Sequence, residues 1–175
     1  VLWASKFLGS AFEQFTVRSS TAQGRSIADQ LARKLADRDI DDISRGTADW
    51  QRAQKLCQKI KTPHDGFVAI IDGGTGALIC DSRLNDDPTL LRRNPGRAVL
   101  VTASGVAPLI EASREACVKH KAPAFGEVEV SGQLYQATCL SLPKLDAVIA
   151  VYQSQASIDR SVAQLVLPVI QVGFV

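Results

Sequence analysis

Residues 5–38 carry a helical stripe. Ile27, Leu31 and Leu35 recur at i, i+4 and i+8 beside Ala28, Ala32 and Ala36, while Arg33, Lys34, Asp37 and Arg38 fill the other side. The pattern predicts one long amphipathic helix with Gly24 as its weak point. Upstream, Val1, Leu2, Trp3, Ala4, Phe7, Leu8, Ala11, Phe12 and Phe15 keep the same spacing. Residues 39–46 read as a break. A second helix is predicted over 47–61, with Thr47 as N-cap and Asp49 in the first turn, and with Trp50, Ala53, Cys57 and Ile60 on one face. Thr62, Pro63, His64, Asp65 and Gly66 end it.

The period then changes from 3.6 to 2. Residues 67–72 and 77–82 read as strands joined by Gly73-Gly74-Thr75-Gly76, a β-hairpin. Residues 83–105 are a long polar loop, and loops of that length in a compact domain are usually functional. Pro108 opens a helix expected to reach His120, with Leu109, Ala112, Ala116 and Cys117 inward. Strands follow at 125–131, 133–142 and 145–152, with Ser131-Gly132 and Pro143-Lys144 between them. A last helix spans about 154–172, on which Ile158, Val162, Leu165 and Val169 share a face and Pro168 is expected to make a kink. Hairpins require antiparallel pairing. The expected class is therefore α+β: a long N-terminal helix packed on a five-stranded antiparallel sheet, with a C-terminal helix.

Composition narrows the setting. The 175 residues are 46% hydrophobic and 22% charged, values of a single globular domain. Its parts are helices over about 1–62, a sheet core with one helix over about 63–153, and a closing helix over about 154–175. Lys plus Arg is 20 against 18 Asp plus Glu, a net charge of +2, so no nucleic-acid partner is expected. The chain contains no Met and begins at Val1, and both ends are apolar: residues 162–175 hold only Gln164 and Gln171 as polar side chains. Neither end has the roughly 20 apolar residues of a membrane span. Together they suggest a segment cut from between two membrane helices, with membrane at both termini. The plainer alternative is core or coiled-coil helix.

Chemistry is sparse. Gly73-Gly74-Thr75-Gly76 lacks the Lys-Ser/Thr and the following helix of a phosphate loop, so a tight turn explains it. His64 and His120 stand far apart, there is no Cys-x-x-Cys, and Asp86 and Asp87 read as solvated loop acids. No metal, no cofactor and no enzymatic activity are expected. The four cysteines are better placed. Cys57 and Cys117 end helices, and Cys80 and Cys139 sit on the returning strands of the hairpins that follow. Register about the turns puts Cys80 opposite Ala69 and Cys139 opposite Ala124, so Cys57–Cys80 and Cys117–Cys139 are the natural disulfide candidates. Four buried, reduced thiols remain the alternative.

The element order, with strand–turn–strand text running from Gly66 to Ile79 and a closing hairpin from Gly126 to Ala137, resembles the single-Cache sensor domains of bacterial transmembrane receptors, which are extracytoplasmic relatives of PAS domains. The resemblance implies a ligand-sensing domain on the periplasmic side of the cell membrane, feeding a histidine kinase, nucleotide cyclase or chemoreceptor. It points to a ligand site on the sheet face under the 83–105 loop. Arg83, Arg92 and Arg93 are candidates there to hold a carboxylate, since a guanidinium grips one through two parallel hydrogen bonds. Tyr135, Thr138 and Tyr152 are candidates for polar contacts to the same small organic ligand. Solvated arginines and ordinary core tyrosines are the plain alternatives. The Arg, Trp, Tyr and Asp set of the amino-acid-binding subgroup does not map onto this chain. The first helix, longer than one sheet needs, is expected to pair with its copy in a homodimer. Two other readings stand beside this one: a cytosolic PAS-like interaction module, and a small α+β enzyme with a site assembled from residues such as Arg92 and His120.

Overall fold

The computed structural model describes residues 2–44, 46–74, 78–85, 123–130 and 132–172; side chains are described from residue 14 to residue 164 within these stretches, except at 84 and 85. The helix expected over 108–120, most of the 83–105 loop, and Arg92, Arg93 and Cys117 lie outside them. Helix α1 spans Leu2–Ala36 and α2 spans Ala48–Gln58. Five strands follow: β1 Phe67–Asp72, β2 Leu78–Asp81, β3 Ala124–Val130, β4 Gln133–Leu142 and β5 Ala147–Ser154. Helix α3, Gln155–Val172, closes the described chain and continues through Pro168. The class is α+β, as the alternation between periods 3.6 and 2 implies.

The sheet order is β2-β1-β5-β4-β3, and every pair is antiparallel. The first and last strands are therefore neighbours at its centre, and β1 and β5 are buried on both faces. Their near-continuous apolar text, Phe-Val-Ala-Ile-Ile and Ala-Val-Ile-Ala-Val, is what two-sided burial requires. One face packs on the helices: Ala28, Leu31 and Leu35 of α1 and Ala53, Leu56 and Cys57 of α2 meet Val68, Ile70, Ile149 and Val151. The other face holds Phe67, Ala69, Ile71, Tyr135, Ala137, Cys139, Val148, Ala150 and Tyr152, also buried.

Boundaries moved where side chains or turns intervened. Helix α2 begins one residue inside Thr47, whose hydroxyl accepts from the Trp50 amide at 3.0 Å as an N-cap should. Strand β5 starts later than the apolar run because residues 143–145 form one turn of 3-10 helix and Asp146 adopts a left-handed φ of 44°. It also runs on through Gln153 and Ser154, which pair with Gln136 and Tyr135 despite their polarity. Between Ile70 and Ile71 of β1 the register shifts by one residue of β2, which leaves Ile79 without a partner on β1, so Cys80 stands opposite Ile70 and not Ala69. The second hairpin keeps simple register about Gly132, at φ 76°, and Cys139 does face Ala124.

Gly24 is a point of close approach. A Cβ there would lie 3.0 Å from Thr138 Cβ and would overlap its Oγ1, so α1 sits on β4 at a distance only glycine permits. Gly24→Ala normally strengthens a helix interior by about 1 kcal/mol. Here it is expected to destabilise by about 1–3 kcal/mol through overpacking. Urea denaturation of Gly24→Ala, Thr138→Ala and the double variant checks this. The loss should largely disappear in the Thr138→Ala background, and a stabilised Gly24→Ala single variant would refute the contact.

Candidate functional site

The face away from the helices is built on aromatic rings. Register sets Phe67 directly across from Tyr152, and the two rings stack with centroids 4.4 Å apart and planes 15° apart. Tyr135, one strand further on, meets both edge-on, at 5.4 Å from Phe67 and 6.2 Å from Tyr152. Stacked and edge-to-face pairs at these separations add about 0.5–1.5 kcal/mol each beyond their burial.

Arg83 reaches this cluster from the one-turn 3-10 segment Ser82–Asn85 that follows β2. Its guanidinium carbon lies 3.5 Å from the Phe67 ring centroid, a cation–π contact. Its Nη2 donates to Asp81 Oδ2 at 2.6 Å and its Nε to Asp81 Oδ1 at 3.1 Å, and its own amide donates to Asp81 Oδ1 at 2.8 Å. Asp81 is fully buried while the Arg83 side chain is 36% exposed. The pair thus carries a sequestered carboxylate under a guanidinium that is still open to solvent. A buried carboxylate left without its partner would be costly, so Arg83 is held in place over the ring.

The hydroxyls differ. Tyr135 donates to Gln133 Oε1 at 2.8 Å. The Tyr152 hydroxyl is buried with no hydrogen-bond partner. Burial, with Cys139 and Asp81 nearby, pushes its pKa well above the ordinary tyrosine value, and Arg83 pulls weakly the other way. It is a neutral donor with nothing to donate to. Such an orphaned group costs about 1–3 kcal/mol.

Of the six expected ligand residues, Arg83, Tyr135 and Tyr152 come together here, and Arg92 and Arg93 lie outside the described residues. Thr138 does not join them. It projects from the opposite face of β4 onto Gly24 of α1. The sequence already held the reason: positions 135 and 138 differ by an odd number, which puts them on opposite faces of any strand. Phe67 and Asp81 belong to the cluster and were not anticipated. Phe67 was legible only through its pairing with Tyr152, and Asp81 only through its spacing to Arg83. Among the described residues, no group of three or more His, Cys, Asp or Glu side chains is placed to hold a metal ion.

The cysteines divide between the faces. Cys57 and Cys80 are buried free thiols side by side on the helix face. Cys139 is a buried free thiol on the aromatic face, and its expected partner Cys117 lies outside the described residues.

Behind Tyr152, the next residue of β5 points the other way. Gln153 Oε1 accepts from the Ser20 hydroxyl of α1, while Gln153 Nε2 is buried and unpartnered. The Pro63–Gly66 loop closes over this end of β5. His64 O accepts from the Ser154 amide at 3.0 Å, and a Cβ at Gly66 would lie 3.3 Å from Gln153 Cα. On the same end Gln136 Nε2 donates to Gln155 Oε1 at 2.9 Å, and Gln155 Nε2 to Asp159 Oδ1 at 2.7 Å, tying β4 to the first turn of α3.

No family model matches the chain, and no curated protein matches it in sequence. Among solved structures it is similar to a methyl-accepting chemotaxis protein from Vibrio parahaemolyticus RIMD 2210633, with 16% identity and a TM-score of 0.45 over 90% of this chain and 97% of that one.

Burial pushes the Cys139 thiol from 9.0 up to about 12. A pKa raised on folding gives stability that is full below the unfolded value and fades as pH climbs toward the folded one. Stability should therefore fall between pH 9 and about 12, and Cys139 should contribute up to about 1.4 kcal/mol per pH unit of that fall. Cys57 and Tyr152 add to it, since theirs are raised too. Urea denaturation at pH 8.5, 9.5 and 10.5 should show a shallower decline for Cys139→Ala than for the unaltered chain. Equal slopes would mean that the thiol ionises freely when folded.

Proposed function

We propose that this chain is the extracytoplasmic sensing domain of a membrane-bound signal-transduction protein, and that it binds a small organic carboxylate against the aromatic face. The observation that carries the reading is the buried, unpartnered Tyr152 hydroxyl on the face where Tyr152 and the Arg83 guanidinium both pack on Phe67. An acceptor oxygen placed there would satisfy the hydroxyl and share the donors of Arg83, while the body of the ligand would lie against Phe67 and Tyr135. The face supplies binding and no reaction step.

The arrangement of helices supports the same reading. Helices α1 and α3 touch, and Ser20 of α1 meets Gln153, two residues before α3 begins. A contact between the first and last helices suits a domain set on a membrane by both termini. No helix among the described residues is long and apolar enough to cross a membrane, so the spans of the proposed receptor belong to other segments. Tyr152 and Gln153 are adjacent on β5, one facing the proposed ligand and the other facing Ser20 of α1. Ligand that favours one position of β5 would thereby bias α1 and, through Gln155, α3. The output would be a kinase, a nucleotide cyclase or a chemoreceptor signalling domain.

A thermal-shift screen of small carboxylates and amino acids tests the proposal. A true ligand at about 100 times its Kd should add about 2.7 kcal/mol of stability. Tyr152→Phe should keep or slightly raise the stability of the free protein and weaken the hit about tenfold or more. Arg83→Gln should weaken it further for an anion. A hit that binds both variants as tightly as the unaltered chain, or a carboxylate set without any hit, sinks the reading.

Helix α1 also offers Phe15 and Val17 to solvent, 67% and 42% exposed, on the helix proposed to pair with its copy. Sedimentation velocity should show a dimer that Phe15→Glu converts to monomer. A monomer for the unaltered chain at tens of micromolar removes the pairing proposal.

A further inference from the structure

Among the described residues strand β2 is an edge strand, paired with β1 alone. Its outward main-chain groups would be unpaired, and α2 supplies them with side-chain partners. Trp50, Gln54 and Cys57 form one stripe at i, i+4 and i+7. Trp50 Nε1 donates to Ile79 O at 2.8 Å. The Gln54 amide takes both groups of the next outward residue: its Nε2 donates to Asp81 O at 2.6 Å and its Oε1 accepts from the Asp81 amide at 3.0 Å. The amide of Gln54 thus replaces a sixth strand. The third member of the stripe, Cys57, lies one turn along α2 from Gln54 and in the same buried cluster as Cys80, which is next along β2 to the Asp81 that Gln54 holds. Both cysteines are fully buried.

We propose that Cys57 and Cys80 form a reversible disulfide that locks α2 onto the edge strand β2. With a low-molecular-weight disulfide as oxidant, the exchange balances. One cysteine sulfur attacks the oxidant and releases one small thiol. The second then attacks the mixed disulfide, forming the Cys57–Cys80 bond and releasing the other. The two cysteines lose two electrons and two protons, and the two small thiols receive them. The thiolate is the attacking species. Burial and the Cys80 contact hold Cys57 protonated, so exchange waits for α2 to lift from the strand. The docked helix with its amide contacts is then both the barrier to closing the lock and the geometry that the lock preserves. An oxidising compartment would close it and a reducing one would open it. Cys139 sits on the other sheet face and takes no part. The inference concerns the sheet edge and does not depend on the ligand reading; its test contains no ligand, so either can fail alone.

The test is incubation of the full chain with oxidised glutathione, alkylation after unfolding, and peptide mapping without reduction. The expected product is a peptide pair joining Cys57 to Cys80, with a mass lower by about 2 Da than that of the reduced form. Amide hydrogen exchange in α2 should slow about tenfold or more on oxidation, because local lifting of the helix is now tethered. A chain with Cys117→Ser and Cys139→Ala should give the same pair and the same slowing. Cys57→Ser should lose both. Should that variant fail to fold, mapping of the unaltered chain still decides. Alkylation of both Cys57 and Cys80 after oxidation, or a bond from either to Cys117 or Cys139, overturns the proposal.

Discussion

The antiparallel pairing of β1 with β5 at the centre of the sheet is the constraint on which everything else depends. Six consecutive pairs run from Phe67 with Tyr152 to Asp72 with Ala147. Each residue of the two strands is committed to one face by its parity. A slip of β5 by one residue against β1 would turn Tyr152 toward α1 and throw Ile149 and Val151 onto the aromatic side, leaving Phe67 without its partner. Both faces of the strands are buried, so no register but one satisfies them. The stacked ring pair and the helix-facing aliphatic layer are two results of the same alignment.

The two edges of the sheet are treated differently. On the β2 side, Trp50 and Gln54 occupy main-chain groups that another strand would otherwise seek. On the β3 side no such cover exists among the described residues. There Phe125, Glu127 and Glu129 stand exposed along the strand. Charges on an edge discourage pairing with a second sheet. The irregularity at Ile79 belongs to the first solution. It frees the Ile79 carbonyl from β1 and leaves it for the indole of Trp50, and it turns Cys80 toward Cys57.

Among the described residues, the buried polar groups gather at two places, the Gln54–Asp81 contact at β2 and the C-terminal half of β5. Asp81 is neutralised by Arg83. Gln153 is half satisfied by Ser20, and Tyr152 is not satisfied at all. A domain selected for stability alone would place Phe and Leu at positions 152 and 153. Polar atoms that the fold leaves unpaired are retained where they meet something outside the fold or where an alternative arrangement pairs them. Adjacent on one strand and facing opposite layers, these two residues connect the aromatic face with the long helix by the shortest possible route.

The spacing of Ile27, Leu31 and Leu35, the cap at Thr47, the hairpin text and the turn at Ser131-Gly132 act over a few residues, and local geometry alone makes them readable. That local grammar determined the class, the strand count and the Cys139–Ala124 register. Parity would also have separated Tyr135 from Thr138, two residues expected at one ligand. Other features depended on which distant segments meet. Side chains of α2 cover the edge of β2, and Gly24 rests on Thr138 across more than 100 residues. Polar Gln153 and Ser154 extend β5 because β4 is there to pair with them, and a single extra residue in β2 moves Cys80 from Ala69 to Ile70. Propensity and periodicity carry no information about such partners, because the energy that selects them is released only when the layers close. The sequence by itself settled the class and the order of the described helices and strands. The tertiary structure decided which of them share a face, and so joined Arg83, Tyr135 and Tyr152 to the unforeseen Phe67 and Asp81.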